Sequence, residues 1–121
     1  MITFAVLATS LYFVGFGAGF LVRPELADQL GLRWTNAAGR TEVRCYYGAV
    51  SWALSGFLIY LLAHHRAVDA LTGVLFLATG VFTTRVIGTL VDGGKSAEYT
   101  KLAIPVEGLF VLVVGLVRLF A

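Results

Sequence analysis

The stretch CYYGAVSWALSGFLIYLLA, Cys45 to Ala63, decides the fold of this chain. It holds 19 residues and no charged side chain. A helix that crosses a hydrocarbon core of about 30 Å needs about 20 mostly apolar residues, because each residue adds about 1.5 Å. We therefore predict a transmembrane helix here. Only His64, His65 and Arg66 separate it from the next apolar run, so a tight antiparallel hairpin is expected.

Three more segments are long and apolar enough to span a membrane. With its polar entrance the second span covers about 43–63, and the others cover 2–22, 67–91 and about 99–120. The sequence therefore predicts an all-α fold, an integral membrane antiparallel four-helix bundle. All of it, 1–121, is expected to be one transmembrane domain.

Composition assigns the same class and excludes several functions. The chain is 59% apolar and 13% charged, whereas a soluble domain carries about 25% charged residues. Its nine Lys and Arg residues are scattered and its net charge is only +2, so no nucleic-acid partner is expected. With Cys45 as the single cysteine and no Cys/His cluster, we predict no metal, no cofactor and no thiol redox pair.

Short polar segments punctuate the first half of the chain. Arg23-Pro24 ends the first span, because proline has no amide hydrogen and disfavours helix in the residue before it. Glu25 to Leu32 predicts a short interfacial helix between helices 1 and 2, with Gly31 as its stop. Thr35 or Asn36 is predicted to cap the second long helix.

The basic residues are distributed unequally between the two ends of the predicted bundle. One end, named the loaded face, holds Arg23, Arg33, Arg40, Arg44, Lys95 and Lys101, with Arg85 deeper. The opposite end holds Arg66 and Arg118. Without Arg44 and Arg85, which are predicted to have partners inside the bundle, the tally is five against two. The positive-inside rule then places the loaded face in the cytoplasm and both termini outside.

Some charges lie inside the predicted spans. Arg85 stands six residues before the end of its span and Glu107 six residues after Lys101, so each lies roughly 9 Å deep. Opposite charges at equal depth predict an ion pair. Arg44 reaches roughly 7 Å, with Glu42 slightly shallower, and both are expected on regular helix. Because a lone charge at the bilayer centre costs roughly 2.5 to 3.5 kcal/mol, five residues are predicted to converge inside the bundle: Glu42, Arg44, Arg85, Asp92 and Glu107.

Small and polar residues accompany these charges. Helical steps from Arg44 predict an inward-facing stripe of Tyr47 or Gly48, then Ser51 and Ser55. Small residues also predict close helix packing at Gly15, Gly19, Gly108 and Gly115. The complete predicted polar site, structural or ligand-binding, consists of Glu42, Arg44, Tyr47, Gly48, Arg85, Asp92 and Glu107.

Several short motifs carry a family resemblance. They are Arg23-Pro24, Glu42-Val-Arg44-Cys-Tyr-Tyr47-Gly48, Arg85-Val-Ile-Gly88 with Asp92-Gly93, and Glu107. Through them the chain resembles the bacterial small membrane proteins catalogued as domain of unknown function 4345, although that family often has a second glycine where this chain has Ala49. The resemblance implies a four-helix fold, the same polar cluster and a multi-pass location in the bacterial inner membrane. It implies no activity. A looser likeness to DoxX-type proteins concerns architecture alone.

The charged cluster has three interpretations. It is an ion-pair lattice that locks the bundle, a pocket that binds a lipid, quinone or other small amphiphile, or a proton-handling site at Glu107. In the pocket, Arg44 and Arg85 would donate to an anion or carbonyl, and Tyr47 would add a hydrogen bond.

The preferred function is a non-enzymatic binding protein or an accessory subunit of a larger membrane complex. The alternatives are a proton-coupled carrier that works as a homo-oligomer and a membrane redox component. No nucleophile with an adjacent base is present in the sequence pattern, which argues against an enzyme.

Overall fold

The computed structural model describes residues 1–92 and 98–120, and of residues 98–100 it describes only the backbone. Every regular element within these ranges is helical. The elements are α1 (Ile2–Val22), a 3₁₀ helix (Pro24–Leu30), α2 (Ala37–Val43), a π-helical segment (Arg44–Ala49), α3 (Val50–Ala63), α4 (Ala67–Asp92) and α5 (Glu98–Leu119). The all-α prediction is confirmed. Lys95, predicted to lie on the loaded face, lies outside the described residues.

Among the described residues, four helices are long and apolar enough to cross a membrane: Ile2–Val22, Ala37–Ala63, Ala67–Asp92 and Lys101–Leu119. The second of these joins α2, the π-helical segment and α3 without a break. Large apolar side chains such as Phe76, Leu109 and Leu112 are exposed on α4 and α5. Apolar surface of this kind on long helices is typical of contact with lipid. The predicted bounds 2–22, 67–91 and about 99–120 lie within one residue of those of α1, α4 and α5, and the second long helix begins earlier than the predicted 43.

The chain divides into two compact units. The N-terminal unit is Val6–His65, and the C-terminal unit is Arg66–Ala121 together with Met1–Ala5. Each unit contains a pair of long helices. The prediction of a single domain, and of one four-helix bundle, stays a prediction.

In the N-terminal unit α1 and α3 run antiparallel. Ser55 Oγ donates a 3.0 Å hydrogen bond to the carbonyl of Ser10, and Trp52 Nε1 donates one of 3.0 Å to the carbonyl of Val14. Residues later in α1 therefore contact residues earlier in α3, as in an antiparallel pair. The stripe of Gly48, Ser51 and Ser55 is buried, as the helical spacing predicts.

The close approach in this pair is made by Gly17. A Cβ on Gly17 would lie 2.7 Å from the carbonyl oxygen of Gly48 and 3.1 Å from Cβ of Ser51. By contrast, nothing lies within 4 Å of a Cβ on Gly15, and one on Gly19 would meet only the side chain of Leu26. The close approach predicted for the segment Gly15-Phe-Gly-Ala-Gly19 therefore occurs at Gly17, and not at Gly15 or Gly19, because the register with α3 selects the glycine between them.

In the C-terminal unit α4 and α5 also run antiparallel. A Cβ on Gly108 would lie 3.2 Å from the ring of Phe82, and one on Gly115 would lie 3.8 Å from Leu75. Both glycines face α4, which confirms their predicted packing role. At the far end of the pair, Arg118 Nε donates a 2.8 Å hydrogen bond to Thr72 Oγ1.

Local capping residues set the ends of the short elements. Gly31 adopts φ 77°, and its N–H donates to the carbonyls of Ala27 and Asp28, so it stops the 3₁₀ helix as predicted. The side chain of Asn36 accepts a 3.1 Å hydrogen bond from the N–H of Gly39 at the start of α2. Of the two predicted caps, Asn36 is therefore the one used.

This cap gives a direct test. Asn36→Ala is expected to lower the free energy of unfolding by about 1 kcal/mol, because an orphan amide of the first turn loses its acceptor. Thr35→Ala, one residue earlier, is the matched control and is expected to change it little. SDS titration of the detergent-solubilised protein, followed by circular dichroism, measures both. Equal losses in the two variants would contradict the assignment.

Candidate functional site

An ion pair joins the two helices of the C-terminal unit. Arg85 Nε on α4 lies 2.9 Å from Glu107 Oε1 and 2.8 Å from Oε2 on α5, so one N–H is shared between both carboxylate oxygens. The two side chains are 27% and 25% exposed. This pair was predicted from the equal depth of Arg85 and Glu107 within their spans, and the two residues are hydrogen-bonded in the structure. Their attraction neutralises two charges on apolar helices that would otherwise each be costly to bury.

A groove runs along the face of α4 next to Arg85. It has a volume of about 550 Å³ and is lined by Phe76, Leu77, Gly80, Val81, Thr84 and Arg85. Gly80 has no side chain, and nothing lies within 4 Å of the place where a Cβ would be, which leaves the floor of the groove open. The lining is apolar except at the Thr84–Arg85 end. The groove is open along its length, and the polarity of its lining matches a molecule with an apolar body and one polar end.

The second arginine of the predicted site begins the π-helical segment. The N–H of Val50 donates to the carbonyl of Cys45, five residues back, where an α-helix would use the residue four back. The prediction that Arg44 lies on regular helix is therefore wrong. A single π-turn inserts one extra residue, so it rotates the helix before it relative to the helix after it, and such turns are frequent at functional sites.

Arg44 has an unsatisfied side chain. Its Nε is buried, and within residues 1–92 and 98–120 this atom has no hydrogen-bond partner. Nε of Arg40, one turn earlier on the same helix face, is also buried and unpaired within the same ranges. The neighbouring carboxylate is Glu25, whose Oε1 accepts from Nη2 of Arg40. Two guanidinium groups therefore lie near one carboxylate.

Glu25 belongs to the 3₁₀ helix, outside the long apolar helices. A hydrogen bond from backbone lowers the pKa of its carboxyl most, and the charges of Arg40 and Arg44 lower that pKa further, against a partial opposing effect of desolvation. The carboxylate is therefore ionised at neutral pH. Since the folded pKa is depressed, the stabilisation that the backbone hydrogen bond and the two arginines give this carboxylate is present above the ordinary carboxyl pKa and is lost as pH falls through the folded value.

The other predicted site residues differ in their surroundings. Glu42 and Asp92 are exposed, and Gly48 is buried against α1. The ring of Tyr47 packs on that of Phe20, with centroids 5.2 Å apart. The residues divide between the two units, Glu42 to Gly48 in one and Arg85 to Glu107 in the other. Convergence of all five charges into one cluster stays a prediction.

Sequence reasoning missed two parts of these sites. Glu25 and Arg40 are fifteen positions apart and pair only because the 3₁₀ helix packs against α2. The i, i+4 spacing of Arg40 and Arg44 was the available signal, because that spacing places both on one helix face. The groove was missed because it depends on which face of α4 its partner leaves open.

Comparison of the chain with protein-family models, curated proteins and solved structures gave no match. The resemblance to domain of unknown function 4345, and the looser one to DoxX-type proteins, therefore stays a prediction. Among the described residues no three His, Cys, Asp or Glu side chains lie close enough together to hold a metal ion.

Proposed function

We propose that this chain is a non-enzymatic, multi-pass protein of the bacterial inner membrane that binds a small amphiphile in the groove of α4. Four helices of membrane-spanning length support the location, and an antiparallel four-helix bundle with a cytoplasmic loaded face is the arrangement that fits the hairpin loops and the charge bias. The observation that carries the function is the apolar groove of about 550 Å³ whose polar end is formed by Thr84 and Arg85.

The charge balance at Arg85 selects the kind of head group. Glu107 already neutralises the guanidinium, since both its carboxylate oxygens accept from Nε–H of Arg85, so the end of the groove has no net charge to offer an anion. A neutral hydrogen-bond acceptor is the better match, because it accepts from Thr84 or from the guanidinium without breaking the pair. A quinone carbonyl or a lipid ester has this chemistry. Phe76, Leu77 and Val81 would contact the apolar chain of such a molecule.

Filling the floor of the groove tests this function. Gly80→Leu is expected to lower the amount of co-purified quinone or neutral lipid at least about tenfold, because its side chain occupies the volume that the ligand uses. Extraction of the protein with surrounding lipid, followed by mass spectrometry of bound small molecules, gives the measurement.

Gly73→Leu is the matched control. Gly73 lies one heptad earlier on the same helix face, a Cβ there also meets nothing within 4 Å, and Gly73 is not part of the groove lining. The two variants change helix propensity and surface hydrophobicity in the same way. If both retained the ligand, or both lost it to the same degree, the groove would not be its binding site.

A further inference from the structure

We propose a second ligand site, in the N-terminal unit, where Arg44 and Arg40 bind an anionic phosphate group. This site is independent of the α4 groove, and the two differ in the charge that they can accept. The observation that carries it is an excess of guanidinium donors over carboxylate acceptors at the point where the second long helix changes from α to π geometry.

The local charges do not balance. Between the end of α1 and the first residue of the π-helical segment, residues 23–44 contain four arginines and three carboxylates. Arg33 uses Asp28, at 2.8 Å, and Arg40 uses Glu25. Glu42 is exposed and lies two positions from Arg44, on a different face of the helix. Arg44 is therefore left with a positive charge that no carboxylate of this region matches by direct contact.

The donors are also unsatisfied. An arginine with an Nε buried and unpaired loses hydrogen bonds to water without replacing them, which is unfavourable in an apolar setting. Here two arginines one helical turn apart show the same deficiency within the described part of the chain. Because Arg44 and Arg40 are each only partly buried, a ligand can reach them from outside. A tetrahedral phosphate has several acceptor oxygens, so it can accept hydrogen bonds from both guanidinium groups at once.

The position favours a phosphate carried by a lipid. Arg44 lies near the predicted loaded end of its span, roughly 7 Å inside the boundary, from where its long side chain can reach the head-group layer to which anionic lipids bring their phosphate. The same chemistry would also hold a soluble phosphate anion. Competition with inorganic phosphate distinguishes a lipid phosphate from a soluble one.

The test measures binding of one phosphatidylglycerol molecule to the detergent-solubilised full chain by native mass spectrometry. Arg44→Gln is expected to weaken this binding at least about tenfold, because charge-assisted hydrogen bonds are lost. Arg33→Gln, which removes the same charge from the same unit at an exposed pair, is the matched control and is expected to leave binding within about twofold. Equal effects of the two variants would overturn the site.

A second variant keeps the test valid if Arg44→Gln does not fold. Glu25→Gln removes the carboxylate that competes for Arg40, so phosphatidylglycerol is expected to bind severalfold more tightly. Unchanged or weaker binding in this variant would also overturn the proposal. Gly80→Leu is expected to leave phosphatidylglycerol affinity unchanged, which separates failure here from failure of the groove.

Two further binding measurements test the charge of the ligand and the source of its phosphate. Phosphatidylcholine, which carries no net charge, is expected to bind at least about tenfold more weakly than phosphatidylglycerol, and equal affinities would contradict an anion site. If millimolar inorganic phosphate displaces phosphatidylglycerol, the site recognises phosphate from either source. If it does not, the lipid chain contributes to recognition. Either result of this competition supports the proposal, provided that Arg44→Gln weakens the binding of phosphatidylglycerol.

Discussion

Glu107→Gln is expected to lower the free energy of unfolding by about 3 to 5 kcal/mol, the largest electrostatic effect among the ion pairs that the structure describes. The substitution leaves the guanidinium of Arg85 on an apolar helix with an amide in place of a carboxylate. Both members are three-quarters buried, so solvent screens them weakly. SDS titration of the purified protein, followed by circular dichroism, measures the loss.

A double-mutant cycle shows whether this cost arises from the pair. The double variant Arg85→Gln, Glu107→Gln is expected to lose clearly less than the sum of the two single losses, because neither charge of this pair then remains without the other. Additive losses would contradict a direct interaction. Arg33→Gln supplies the surface reference: its pair with Asp28 has members 85% and 60% exposed, and such pairs contribute about 1 kcal/mol or less.

The ends of the helices could be predicted from sequence because single residues decide them. Pro24 cannot donate an amide hydrogen, Gly31 adopts a left-handed conformation, and Asn36 accepts from a free amide of the first turn. Each effect acts over three or four residues and needs no knowledge of the rest of the fold. The Arg85–Glu107 pair was also predictable, since helical rise alone places both charges at one depth.

The π-helical segment could not be predicted, because helix periodicity assumes that every turn has the same number of residues. Inside this segment the hydrogen bonds shift by one residue, and Arg44 stands at the shift. The stripe of Gly48, Ser51 and Ser55 lies mostly beyond the shift, so its α-helical spacing held. The proximity of Arg40 and Arg44 to Glu25 depends on packing of the 3₁₀ helix against α2.

The choice among three glycines of α1 was also beyond the sequence. The segment Gly15-Phe-Gly-Ala-Gly19 offers three positions where another helix can approach, and helical spacing alone does not rank them. The hydrogen bonds from Ser55 and Trp52 to α1 carbonyls fix the register of α3, and in that register Gly17 meets Gly48. Long-range polar contacts therefore determine which glycine is essential.

Gly17→Ala is accordingly expected to be the most destabilising of the conservative substitutions in the N-terminal unit. The new methyl group would lie 2.5 Å from Trp52 Cδ1 and 2.7 Å from the carbonyl oxygen of Gly48. The backbone oxygen cannot move without shifting its helix. Overpacking of this kind costs about 1 to 3 kcal/mol or more. Separation of α1 from α3 would also break the hydrogen bond from Trp52, so a shift in tryptophan fluorescence should accompany the loss measured by SDS titration.

Gly15→Ala makes the same chemical change two residues away and is expected to act in the opposite direction. A Cβ there meets nothing within 4 Å, and alanine is favoured over glycine in a helix interior by roughly 0.5 to 1 kcal/mol. Both variants replace glycine with alanine in the same helix, and only the contact with α3 differs between them. The pair therefore separates the effect of that contact from intrinsic helix preference. Equal destabilisation by both would mean that α1 packs in another register, with Gly15 at the helix crossing and Trp52 away from the carbonyl of Val14.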